Sequence, residues 1–132
     1  MKIIHLTCII EDDPLHLFIT KKYIELSGFN GEILAFKNGK EAFHGLNDRL
    51  LNNMKLPQVI FLDLNMPVWD GWKFLDEFIK LDIKQDITMC ILTSSNSEED
   101  IKRADSYNLK SNYLIKPIEL EDLEHIFNNV VE

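Results

Sequence analysis

In Val59-Ile60-Phe61-Leu62-Asp63, four apolar residues run straight into a carboxylate. A run this short, rich in β-branched and aromatic residues and preceded by Pro57, reads as a strand buried on both faces. Three other stretches have the same form. Cys8-Ile9-Ile10 precedes Glu11-Asp12-Asp13, Met89-Cys90-Ile91-Leu92 precedes Thr93, and Tyr113-Leu114-Ile115 precedes Lys116. A weaker strand, Ile33 to Phe36, suits a sheet edge.

Helical patterns fill the gaps. Pro14 to Leu26 places Leu15, Phe18, Ile19, Tyr23 and Leu26 at helical spacing, with Pro14 suited to a first turn and Ser27-Gly28 ending the helix. Asn38-Gly39 opens a second helix to about Leu51. Asp70-Gly71 turns into a third carrying Trp72, Phe74, Leu75, Phe78 and Ile79. Ser97, with Asp100 three residues on, suits the start of a fourth. A fifth runs from about Glu119 through Leu120, Leu123, Phe127 and Val130. Strands alternating with helices over short connections imply a parallel α/β sheet covered on both faces. Every strand-end polar residue then lies on one edge of the sheet, at the crevice where such folds bind ligands.

At 132 residues the chain has single-domain length. Its net charge of −8 argues against nucleic acid as a partner, since phosphate backbones are held by clustered Lys and Arg. No stretch approaches the ~20 apolar residues of a membrane span, and the apolar start from Lys2 to Ile10 lacks a cleavage site and runs into three acids. A cytoplasmic protein with no membrane partner is the expectation. Cys8 and Cys90 read as reduced core thiols, and His5, His16, His44 and His125 lack ligand spacing for zinc.

Carboxylates, a hydroxyl and an ammonium gathered at one sheet edge form a site for a divalent cation and a phosphoryl group. Mg2+ prefers one or two carboxylates with water and phosphate oxygens. Asp12 and Asp63 supply these if the strand order is that of a flavodoxin-like doubly wound sheet. Clustered carboxylates repel unless a cation is present. Asp63 reads as an exposed nucleophile able to form an acyl phosphate. Thr93 is placed to hydrogen-bond one phosphoryl oxygen and Lys116 to pair with another. Asp13 has two readings, a further carboxylate for the metal or the cap of the following helix.

The motifs Glu11-Asp12-Asp13-Pro14, Asp63-Leu64-Asn65-Met66-Pro67-Val68-Trp69-Asp70-Gly71, Leu92-Thr93-Ser94 and Tyr113-Leu114-Ile115-Lys116-Pro117 resemble, in order and spacing, the CheY-like receiver domains of two-component response regulators. The resemblance covers essentially the whole chain and implies a (βα)5 three-layer sandwich with parallel strands in the order 2-1-3-4-5. It implies a receiver domain acting as a switch rather than an enzyme; with only 16 residues after Lys116, a stand-alone domain over residues 1–132 with no output domain is the expectation. Asp63 would be the phosphoacceptor, served by a sensor histidine kinase or phosphotransfer protein. Mg2+ would be held by Asp12, Asp63 and the Asn65 backbone carbonyl, with Glu11 acting through water. Thr93 and Lys116 would contact the phosphoryl group, and Tyr113 would be the aromatic whose rotamer follows Thr93. The surface of the fourth helix, fifth strand and fifth helix would then change for a downstream protein partner. Lys116-Pro117 would be a cis peptide, and Asn65 and Ser95 would tune the lifetime of the phosphorylated state.

Ser94 departs from the usual Ala and narrows access to the site. Trp72 reads as core packing, while Trp69 is either an exposed partner anchor or packed on its own turn. Two rival readings differ in chemistry. A haloacid-dehalogenase-type phosphatase needs a second Asp where Asn65 stands. A pseudo-receiver, a binding module that is not phosphorylated, usually lacks one of the site residues, and here all are present.

Overall fold

The computed structural model describes residues 4–130, so Lys2 and Ile3 of the apolar start lie outside the described residues. Strands and helices alternate as β1 (Leu6–Ile10), α1 (Pro14–Leu26), β2 (Glu32–Phe36), α2 (Gly39–Leu51), β3 (Val59–Leu62), α3 (Gly71–Phe78), β4 (Thr88–Thr93), α4 (Glu98–Ser106), β5 (Tyr113–Ile115) and α5 (Leu120–Asn128). A short 3-10 turn, Lys110–Asn112, leads into β5. All strand pairs are parallel, in the order β2-β1-β3-β4-β5. This is the flavodoxin-like doubly wound sheet expected from the sequence.

The two-residue period of the strands divides the core between two faces. Cys8, Ile10, Ile60, Leu62, Met89 and Ile91 meet Leu46 of α2, Trp72, Phe74, Leu75 and Phe78 of α3, and Ala104 of α4. Ile9, Val59, Phe61, Cys90 and Leu92 meet Ile24 of α1 and Leu123 and Ile126 of α5. Each such large side chain stabilises the fold by roughly 1.5–3 kcal/mol relative to exposure. β1 and β3 are buried throughout, whereas Glu32 and Ala35 of β2 are exposed, as the weak apolar run and edge position require. Cys8 and Cys90 are free and buried, and burial pushes both thiols far above their ordinary range, so they stay protonated core residues.

Side-chain caps start most of the helices. Asp13 accepts from the amides of Leu15 and His16, Asn38 from Glu41, Asp70 from Lys73, and Ser97 from Asp100. Each satisfies an amide that the helix itself leaves without a partner. Glu119 and Asp122 form a capping box for α5.

Two expectations about apolar faces are corrected. On α1 the residues turned inward are Thr20 and Ile24, with Leu17 and Tyr23 partly covered, whereas Leu15, Phe18, Ile19 and Leu26 face outward. Both sides of this helix carry apolar residues, so periodicity alone does not choose between them. On the third helix, Ile79 is the C-cap residue and is 62% exposed, because the helix ends at Phe78 and the chain turns away.

Candidate functional site

Strand register builds the site. Ile10 lies opposite Leu62, so the residues that follow, Glu11 and Asp63, emerge side by side. The Asp63 amide donates to the Ile10 carbonyl at 3.0 Å and extends the ladder by one bond. Thr93 lies opposite Ile115, and the Lys116 amide donates to the Thr93 carbonyl at 2.8 Å, which brings Lys116 to the same edge. The Lys116–Pro117 peptide is cis.

One carboxylate oxygen each from Glu11, Asp12 and Asp63 lies within 4.8 Å of the others. Glu11 and Asp63 are buried and Asp12 is exposed, so this oxygen set is open on one side. Asp63 corrects the expectation of an exposed carboxylate, being only 7% exposed on the floor of a cavity of about 200 Å³. Its Oδ1 accepts from the Asn65 amide at 3.4 Å. Asn65, Ser94 and Lys116 contribute to the walls. Asp13 lines the rim, but its Oδ1 is used by the α1 amides at 2.8 and 3.3 Å, so the cap reading accounts for it.

Lys116 supplies the positive charge. Its ammonium donates to Glu11 Oε1 at 2.5 Å, lies 3.8 Å from Asp63 Oδ2, and is 3.0 Å from His16 Nδ1. Burial pushes the Glu11 carboxyl up to about 7, with the Lys116 ammonium opposing the rise and Asp63 reinforcing it. Carboxylates this close, in a pocket with one ammonium, fit a small divalent cation by donor type and number.

Thr93 and Tyr113 do not line this cavity; they meet at Ser95. The buried Thr93 Oγ1 accepts from the Ser95 amide at 3.2 Å, and the Tyr113 hydroxyl donates to the Ser95 carbonyl at 2.8 Å. Ser95 Oγ in turn donates to Asp100 Oδ2 at 2.5 Å, and the Trp72 indole N–H donates to Asp100 Oδ1 at 3.0 Å. Arg103 lies over the Trp72 ring, and Tyr107 stacks on it and bonds to Asp76. A continuous polar chain therefore runs from Thr93 to the packing of α3 against α4.

Trp69 is packed against α2. Its ring lies 5.5 Å from Phe43, with Lys73 at 5.3 Å, and its carbonyl accepts from the Gly39 amide. Sequence reading missed His16 and Asp100 as site-linked residues. The cap at Asp13 places His16 in the first turn of α1, a signal present in the sequence, whereas the Asp100–Trp72 contact spans 28 positions and leaves no local trace.

Comparison with known proteins agrees with this geometry. Residues 7–128 match the response regulator receiver domain family. The chain is 32% identical over 124 residues to the probable methanogenesis regulatory protein FilR2 of Methanothrix harundinacea, spanning 94% of this chain and 79% of that protein. A two-component response regulator from Cytophaga hutchinsonii superposes with a TM-score of 0.85 at 26% identity, covering 98% of both chains. The phosphorylated cyanobacterial phytochrome response regulator RcpA superposes with a TM-score of 0.76 at 25% identity, over 92% of this chain and 87% of that one. The family match, the strand order and the strand-edge cluster agree, and the chain belongs to the response regulator receiver domains of two-component signalling.

Proposed function

We propose that this receiver domain is a phosphorylation-activated switch with Asp63 as phosphoacceptor. The observation that carries the reading is the placement of the Asp63 carboxylate beside those of Glu11 and Asp12, with the Lys116 ammonium 3.8 Å away. A phosphohistidine on a sensor kinase or phosphotransfer protein is the donor. An Asp63 oxygen attacks phosphorus, the P–N bond breaks, and the imidazole leaves and takes up a proton, giving an acyl phosphate. Asp12, Asp63 and the Asn65 backbone carbonyl would hold Mg2+, with Glu11 assisting through water. The ion supplies charge neutralisation for the incoming phosphoryl oxygens. Lys116 pairs with one of those oxygens and Thr93 donates its hydroxyl to another.

Thr93 Oγ1 also accepts from the Ser95 amide, so the hydroxyl that donates to a phosphoryl oxygen is tied through Ser95 to Tyr113 and Asp100. A surface that binds its downstream partner better in one state than the other then reports the phosphoryl group. The exposed Leu15 and Phe18 of α1, on the turns that follow the site, offer apolar area for the donor protein. Among the described residues no helix is long and apolar enough to cross a membrane.

The test is intact mass after incubation with acetyl phosphate. One added phosphoryl group that requires Mg2+ and is absent from Asp63→Asn supports the switch. No addition to the folded wild type with several small phosphodonors favours a binding module that is not phosphorylated.

A further inference from the structure

The motifs and the family resemblance leave one residue of the cavity without a role, His16. It stands in the first turn of α1, held there by the Asp13 cap, whose Oδ1 accepts the His16 amide at 3.3 Å. Its Nδ1 is 3.0 Å from the Lys116 ammonium and 3.9 Å from Glu11 Oε1. An ammonium only donates, so Nδ1 is the acceptor and the ring proton sits on Nε2.

The Lys116 side chain is 12% exposed, which leaves water little access to it. Its three N–H groups therefore depend on protein acceptors. Glu11 at 2.5 Å takes one and His16 at 3.0 Å takes another, while Asp63 Oδ2 stands at 3.8 Å, beyond hydrogen-bond distance. We infer that His16 is a positioning residue: by accepting from Lys116 it keeps the ammonium off Asp63, leaving that carboxylate free for a divalent cation and for attack on phosphorus. This rests on the reading of Asp63 as phosphoacceptor for its second half only. The competition between ammonium and cation for Asp63 stands on geometry alone.

Without His16, the nearest acceptor open to that N–H is Asp63. The closed Lys116–Asp63 pair then occupies an oxygen that the cation needs and lowers the nucleophile's negative charge. Asn at position 16 provides a test of atom placement, because its Oδ1 is as many bonds from the backbone as Nδ1 of histidine and also accepts.

The experiment compares wild type, His16→Leu and His16→Asn, each checked for folding by circular dichroism. Mn2+ affinity is measured by electron paramagnetic resonance without any phosphodonor, and phosphoryl uptake from acetyl phosphate with Mg2+ is followed by intact mass. His16→Leu should weaken Mn2+ binding and slow uptake by about tenfold, the low end of what a hydrogen bond from a charged donor supplies. His16→Asn should restore both to within about twofold of wild type on the same grounds. Unchanged Mn2+ affinity in His16→Leu overturns the inference, as does an Asn variant as impaired as the Leu variant, which would make the ring's bulk the cause. A wild type that binds Mn2+ but takes up no phosphoryl group refutes the phosphoacceptor reading instead, and the Mn2+ series still decides His16.

Discussion

Asp100→Ala removes the carboxylate that joins the loop after β4 to α3. Asp100 accepts the Ser95 hydroxyl and the Trp72 indole N–H. Ser95 is partly exposed and can turn to water after the change, whereas Trp72 is 6% exposed as a residue and its N–H has fewer replacement partners. A buried donor left without a partner costs about 1–3 kcal/mol. Loss of an acidic residue from the first turn of α4 adds about 0.3–1 kcal/mol. The variant should therefore unfold with a free energy lower by about 1–4 kcal/mol, read from urea titrations monitored by circular dichroism with an unchanged m-value. Asp100→Asn keeps an acceptor for Trp72 and should lose about 1 kcal/mol or less.

The same comparison has a pH signature. The Ser95 hydroxyl, followed by the Trp72 and Ser97 donors, holds the Asp100 carboxyl below its ordinary value of 3.8. A depressed value in the folded state means that the unfolded chain binds more protons. The contribution of Asp100 is thus complete above 3.8 and is lost as pH falls through the lower folded value. The gap in stability between wild type and Asp100→Asn should be flat from about pH 5 to 8 and shrink below about pH 4. An Asp100→Ala protein within about 0.5 kcal/mol of wild type would refute the reasoning, since that is the range of an uninvolved surface site.

Three further substitutions test other parts of the structure. In Gly71→Ala the new Cβ would sit 2.6 Å from the Asp63 carbonyl oxygen and 2.9 Å from the Leu64 Cα. Backbone must move, so a loss of about 3 kcal/mol is expected in urea unfolding, and wild-type stability would contradict the contact. Val68, 72% exposed, holds a φ of 72°, which costs a β-branched residue about 1–2 kcal/mol. Val68→Gly should raise stability by about 0.5–1 kcal/mol after the entropy of glycine is subtracted, and a lower urea midpoint would count against the strain. Thr7 Oγ1 is buried without a hydrogen-bond partner among the described residues. Thr7→Val should gain about 1 kcal/mol, and a thermal midpoint below wild type would show that the hydroxyl has a partner after all.

What the sequence makes legible is what local chemistry determines. The apolar runs ending at Ile10, Leu62, Leu92 and Ile115 give the sheet, and the polar residue after each run gives the site edge. The Asn38, Asp70 and Ser97 caps follow from short side chains next to helical patterns. The orientation of α1 was not readable, because Leu15 and Phe18 on one side compete with Leu17 and Ile24 on the other and only the sheet chooses between them. Trp69 was ambiguous for the same reason, since its partner Phe43 lies on another element. The burial of Asp63 comes from neighbours on other elements, Glu11, Ser94 and Lys116 among them, which no local pattern places beside it. The chain from Thr93 through Ser95 and Asp100 to Trp72 joins elements with no sequence periodicity in common.

The most direct test of the central claim is to locate the phosphoryl group. After incubation with acetyl phosphate and Mg2+, borohydride reduction converts an aspartyl phosphate to homoserine, and peptide mass spectrometry finds its position. Homoserine at position 63, dependent on Mg2+ and on the phosphodonor, is the result this account predicts. Unaltered Asp63 alongside homoserine at Asp12, Asp13 or another carboxylate would contradict it.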